Sequence, residues 1–183
     1  HGGDAGERFV DQGFQWDYPV QLFAERGYVV LCINDPVTTQ SAELRAAYDE
    51  WSNPTGAIAA SRVQDLVWLN GVRSFEDAVG AMAAEGVVDP DRVGIAGYSR
   101  GSQMVNVTMT QSTMFKAASS GEGGYLEPAG YFTVPSSPRS YQAVFGGSPY
   151  DAGAVENYRR LSPTFRASLA SGPLLQQVAV PRP

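Results

Sequence analysis

The residues of this 183-residue chain with the clearest chemical potential lie in "RVGIAGYSRGSQM", residues 92–104. An apolar run, residues 93–96, meets Gly97, Tyr98, Ser99, Arg100 and Gly101. A serine with glycine two before and two after fits a sharp strand-to-helix turn, because strained backbone at the serine tolerates only small neighbours. Such a turn lifts the serine oxygen above the sheet edge. The amides and positive dipole end of the following helix converge on the same spot. That is the apparatus of nucleophilic acyl transfer: Ser99 attacks a carbonyl, and the Arg100 amide holds the oxyanion that forms. The pattern is short enough to arise by chance, and a glycine-flanked structural serine is the competing reading. Its context favours chemistry. A strand-like run precedes it, a helix candidate follows, and "HGGDAG" (residues 1–6) lies one strand–helix unit upstream. A His-Gly-Gly loop in that place would supply a second oxyanion amide, here from Gly2 and Gly3.

A serine hydroxyl needs a base to take its proton and an acid to orient that base. The sequence has one histidine, His1, and none after Ser99. His1 reads as a shaper of its loop or a substrate contact rather than as the base. Asp151, in "SPYDAG", reads as a solvated turn residue. Glu122 is either a solvated turn glutamate or a group that binds a substrate amine or stands in for the acid. A single cysteine, Cys32, excludes a disulfide framework and reads as a small buried hydrophobe. A histidine-rich metal site is excluded by count.

The elements that must position Ser99 alternate along the chain. "WDYPVQLFAERG" (residues 16–27) has Val20, Phe23 and Ala24 at helical spacing. "YVVLCI" (residues 28–33) reads as a strand buried on both faces. Residues 34–71 read as irregular, with a short helix over 42–51. "SFEDAVGAMAAEG" (residues 74–86) is the clearest helix. Ser74 is placed to cap it, with Asp77 three residues on, and Phe75, Ala78, Val79, Met82 and Ala83 form one apolar stripe. "DPDRVGIAG" (residues 89–97) is a turn into a second buried strand. A helix over 101–110 and a shorter strand over 115–121 follow. Residues 121–149 are rich in glycine, proline, serine and aromatics, show no helical or strand period, and read as an ordered excursion over the site. Tyr125, Tyr131 and Phe132 there, with Tyr98 beside the nucleophile, are candidate substrate contacts or packing groups. "AVENYRRL" and "PTFRASLASG" read as helical, and "PLLQQVAV" as a last strand. Strands alternating with helices predict a single α/β domain over residues 1–183 with a mostly parallel sheet.

Composition supports a globular chain: 43% hydrophobic, 17% charged, formal net charge −6. That acidity argues against nucleic acid or an anionic membrane as partner, since both need a basic face. The longest apolar runs fall far short of the ~20 residues of a membrane span.

The chain resembles the catalytic domain of prolyl-oligopeptidase-family serine peptidases. The matching pieces are "HGG", "FAERGYVVLCIND", "SFEDAVGAMAAEGVVDPDRVGIAGYSRG", "LSP" and "PLLQQVA". "GEGGYLEP" is similar to the branch containing lasso-peptide isopeptidases. The resemblance implies an α/β-hydrolase fold, cleavage of amide bonds in small peptides through an acyl-enzyme, and no metal or organic cofactor. It carries the nucleophile onto Ser99 and the oxyanion hole onto Arg100, Gly2 and Gly3. Where relatives read G-x-S-x-G-G, this chain has Ser102. The family's acid and histidine are expected beyond Pro183, and its propeller domain, if present, upstream. Both ends are thus expected to be truncations, and the bare chain to be inactive. A carboxylesterase on the same fold, and a non-catalytic binding protein on a degenerate hydrolase, are the alternatives.

Overall fold

The computed structural model of the protein describes residues 20–34, 41–123, 126–133 and 137–178. Ahead of the sheet come α1 (Val20–Glu25), α2 (Ala42–Ser52), α3 (Ala60–Val63) and α4 (Asn70–Ala84). A π-helical segment, Gln64–Leu69, joins α3 to α4 without a break. Three strands, β1 (Gly94–Tyr98), β2 (Ala117–Gly121) and β3 (Leu174–Gln177), form a parallel sheet in the order 1-2-3. Gly94 pairs with Ala117, Tyr98 with Gly121, and Ala118 with Leu174. Parallel neighbours need long crossovers. The first is α5 (Arg100–Gln111). The second holds α6 (Gly130–Thr133), α7 (Ser137–Phe145) and α8 (Ala152–Leu161).

α5 is the centre of the molecule. Its Val105 and Met109 pack with Val79, Phe115 and Ala118, against which Val93 and Ile95 of the β1 approach also lie. Its Met104 and Val107 join a second cluster with Val67, Trp68, Val72, Tyr141, Phe145, Tyr158 and Leu161. Apolar contact on two sides explains why a helix so rich in β-branched residues is stable: tertiary burial overrides weak propensity. Thr110 satisfies its buried hydroxyl by donating back to the Asn106 and Val107 carbonyls.

Several expectations need correction. Ser74 does not cap a helix. It lies inside α4, and its hydroxyl donates to the Asn70 carbonyl at 3.0 Å. Helix begins at Ala60, within the stretch read as irregular, and is anchored there by Val63, Val67, Trp68 and Val72. Residues 28–33 form no strand, and Tyr28 and Val29 are 63% and 49% exposed. Extended backbone needs a ladder partner, and among the described residues β1 pairs only with β2. β1 is not buried on both faces either. Ile95 and Gly97 turn inward, whereas Gly94 and Ala96 are exposed on the opposite face. Residues 121–149 are not without period, since α6 and α7 lie within them. Of "PTFRASLASG", only the 3₁₀ turn Ala167–Leu169 is helical.

Candidate active site

Between the last residue of β1, Tyr98, and the first of α5, Arg100, a single residue reverses the chain. Ser99 does so at φ 53° and ψ −114°. Only one other described residue besides glycine, Glu122 at φ 55°, has positive φ. Such backbone costs roughly 1–3 kcal/mol and persists only where surroundings over-determine it. The surroundings here are specific. The Ser99 N–H donates to the Gly121 carbonyl at 2.8 Å, and the Gln103 N–H donates to the Ser99 carbonyl at 3.1 Å. A Cβ on Gly97 would overlap the Gly101 carbonyl and sit 2.9 Å from the Ser102 nitrogen. The first glycine of the motif is therefore required by the close return of the chain two residues past the serine. Ser99 is half-buried, and its hydroxyl makes no capping bond to its own helix.

A polar layer lies beneath the turn. Ser102 is fully buried, and its hydroxyl shares a 2.8 Å hydrogen bond with that of Ser120 on β2. The Asn106 amide donates to the Gly123 carbonyl at 3.2 Å. Gly123 has no room for a side chain, since a Cβ there would overlap the Ser102 hydroxyl and approach the Ser99 carbonyl to 2.9 Å. The hydroxymethyl group at position 102 is thus accommodated by a glycine on the facing segment. Gly121 and Gly123 both touch the turn from the end of β2.

Arg100 opens α5. The first amides of a helix lack acceptors one turn back, and the helix dipole makes that end electropositive. The Arg100 side chain turns away from the turn. Its guanidinium carbon lies 3.5 Å from the Trp68 ring centroid and 4.7 Å from that of Trp51, and Nη2 donates to the Val67 carbonyl at 3.4 Å.

Of the other candidate residues, Tyr98 ends β1, and its ring lies 3.1 Å from where a Cβ on Gly121 would stand. Glu122 sits at the same sheet edge as Ser99, half-buried, its N–H donating to the Gln177 carbonyl at 2.9 Å. His1, Gly2, Gly3 and Tyr125 lie outside the described residues. Asp151 precedes α8 and accepts the Ser148 N–H at 2.8 Å, a turn role. Tyr131 packs edge-to-face on Tyr141, whereas Phe132 beside it is 57% exposed. The Glu127 carboxyl is held above its usual pKa by burial, opposed in part by a backbone hydrogen bond from Thr164. Among the described residues no three His, Cys, Asp or Glu side chains gather into a metal-holding group.

Sequence reasoning missed Trp51, Trp68, Asn106 and Gly123. For Trp68 a signal existed. Val63 and Val67, and then Trp68 and Val72, each fall four residues apart within residues 60–72, a pattern masked by the turn-like "SNPTG" just before it.

The prolyl oligopeptidase family model matches residues 61–179. A lasso peptide isopeptidase of Asticcacaulis excentricus is 29% identical over 113 residues, which are 60% of this chain and 15% of that protein. Among solved structures, a puromycin-hydrolysing peptidase of Mycobacterium tuberculosis is 27% identical, with a TM-score of 0.46 over 55% of this chain and 15% of that one. An acylaminoacyl peptidase of Pyrococcus horikoshii is 33% identical, with a TM-score of 0.44 over 63% and 17%. The chain therefore spans well under a fifth of the length of these relatives. With the family model covering α4, α5, the parallel sheet and the strained serine turn, the chain belongs to the prolyl oligopeptidase family of serine peptidases, and its α/β architecture is part of an α/β-hydrolase fold.

Proposed function

We propose that Ser99 is the nucleophile of a serine peptidase that cleaves amide bonds of small peptides through an acyl-enzyme. The Ser99 oxygen bonds to the substrate carbonyl carbon and gives its proton to a base. The carbon–nitrogen bond then breaks, the amine leaves with that proton, and water hydrolyses the resulting ester. The Arg100 amide and the Gly2–Gly3 loop hold the oxyanion. The base and its orienting acid come from residues outside these 183. The chain's only histidine precedes Ser99, whereas the fold's order is serine, acid, histidine.

The observation that carries this reading is the backbone of Ser99. A serine kept at φ 53° by a glycine that admits no Cβ, directly before a helix N-terminus, is the geometry nucleophilic attack requires. Amide rather than ester cleavage is favoured by the family and by a relative whose name declares isopeptidase action.

The test is hydrolysis of paired chromogenic peptide amides and esters by the complete polypeptide that contains these residues. Ser99→Ala is expected to lower kcat on both by about 10³-fold or more. An enzyme that keeps its rate after Ser99→Ala does not use this serine.

A further inference from the structure

Arg100 belongs to the elbow through its amide, yet its side chain is anchored elsewhere. The Trp51 and Trp68 rings meet edge-to-face, 5.8 Å between centroids and 75° between planes, so they form a corner. The Arg100 guanidinium occupies that corner, 3.5 Å over Trp68 and 4.7 Å over Trp51. A guanidinium stacked on indole away from water is held by the ring quadrupole and by its planar fit, which a lysine reproduces only in part.

The corner is itself fixed. Trp68 is fully buried and lies in the π-helical segment Gln64–Leu69. π-Helical turns occur mostly as single insertions within α-helices, frequently at functional sites. This one is fastened from behind. The buried Gln64 amide donates to the Val144 and Asn157 carbonyls, both at 2.9 Å. Asp65 pairs with Arg160, which also donates to the Ser61 carbonyl at 2.9 Å. On its forward side the segment offers the Val67 carbonyl and the Trp68 face to Arg100. A rigid path thus runs from α7 and α8, through the π-helical turn, to the peptide unit after Ser99.

We infer that the Arg100 side chain is a positioning residue for the oxyanion hole. Its clasp in the Trp51–Trp68 corner fixes the orientation of the Arg100 amide, and the π-helical segment is the mount. This rests on the reading of Ser99 as nucleophile and of the Arg100 amide as oxyanion donor. Any substitution at position 100 other than proline retains that amide. A loss of rate therefore reports its placement rather than its removal.

The experiment measures acylation of Ser99 by a fluorophosphonate in the complete polypeptide, separating the saturating rate constant from the half-saturation concentration. Arg100→Met keeps the length of the side chain but not its charge or planar head. Its saturating rate is expected to fall about tenfold, less than the ~10²–10³ lost when an oxyanion donor is deleted outright, with half-saturation unchanged. Arg100→Lys falls between, and Trp68→Phe, with a weaker π face, loses severalfold. Millimolar guanidinium partly restores Arg100→Ala and leaves the wild type unaffected. Wild-type saturating rates in Arg100→Met and Trp68→Phe, with the probe still on Ser99, overturn the inference. So does a loss in Arg100→Ala that guanidinium leaves untouched and that tracks a lowered Tm. Should Arg100→Ala fail to fold, Trp68→Phe decides. A wild-type adduct on a residue other than Ser99 overturns the nucleophile reading instead, so the two failures are distinguishable.

Discussion

Adding one methyl group at Gly123 should damage the elbow from beneath, and removing the side chain it strikes should repair much of that damage. The Cβ of Gly123→Ala would overlap the Ser102 hydroxyl, which is fully buried and bonded to Ser120. Forcing a methyl into a packed site costs about 1–3 kcal/mol. Displacing the hydroxyl also breaks a buried hydrogen bond, about 1 kcal/mol more. The single variant is thus expected to lose roughly 2–4 kcal/mol. Ser102→Gly alone leaves the Ser120 hydroxyl, 4% exposed, without that partner and should cost about 1–3 kcal/mol. In the double variant the methyl finds the vacated space, and the remaining close contact is the Ser99 carbonyl at 2.9 Å. The double variant should therefore be more stable than the sum of the singles by about 1–2 kcal/mol, within the range for contacting residues. Equilibrium denaturation followed by tryptophan fluorescence, with the m-value checked for constancy, gives all four corners of the cycle. Additive losses would mean that positions 102 and 123 do not compete for one volume, and the packing beneath Ser99 would be wrong.

Further consequences can be checked independently. Ser99→Gly, which relieves the φ of 53°, should be about 1 kcal/mol more stable than Ser99→Ala, or ~2–4 °C in Tm, with both inactive; calorimetry decides. Gln64→Ala removes two hydrogen bonds of 2.9 Å to the Val144 and Asn157 carbonyls and empties a fully buried site, and should cost roughly 2–4 kcal/mol in denaturant. Two perturbed carboxyls among the described residues should pull pH stability in opposite directions. Glu50 has its pKa lowered, mainly by the Thr55 hydroxyl and also by the Thr55, Gly56 and Ala57 backbone, against burial. Its contribution is full above the unfolded value near 4.5 and is lost as pH falls through the folded value. Glu50→Gln should therefore destabilise at pH 7 and flatten the acid limb. Glu127 has its pKa raised by burial. The folded state then holds the proton more tightly, and stability falls as pH climbs from about 4.5 to the raised value. Glu127→Gln should remove that fall and stabilise at neutral pH, as Tm against pH would show.

The elbow could be read from sequence because its determinants are local. Gly97, Ser99 and Gly101 sit within five residues, and strand and helix signals flank them. β2 and β3 were visible as short segments between turn residues, led by Ala117–Ala118 and Leu174–Leu175. The start of the long helix was obscured because Ser74 has both the type and spacing of a cap, yet its hydroxyl bonds backward within a helix already under way. A tempting strand at residues 28–33 failed for another reason. β-rich composition supplies side chains for a sheet but not the neighbouring backbone that a strand must pair with. The Arg100 clasp was invisible because its partners, Trp51 and Trp68, are 49 and 32 positions away. Nothing in a one-dimensional pattern marks a pair of rings as a corner. The match of Gly123 to Ser102 was hidden likewise, since a glycine's lack of volume matters only once its neighbour is known.

Treatment of the complete polypeptide that contains these residues with a fluorophosphonate, then proteolysis and mass mapping of the adduct, addresses the nucleophile directly. The phosphonyl group is expected on the peptide carrying Ser99, with Ser99→Ala leaving the protein unlabelled. A phosphonyl group on another serine, or labelling that survives Ser99→Ala, contradicts the assignment of Ser99 as the nucleophile.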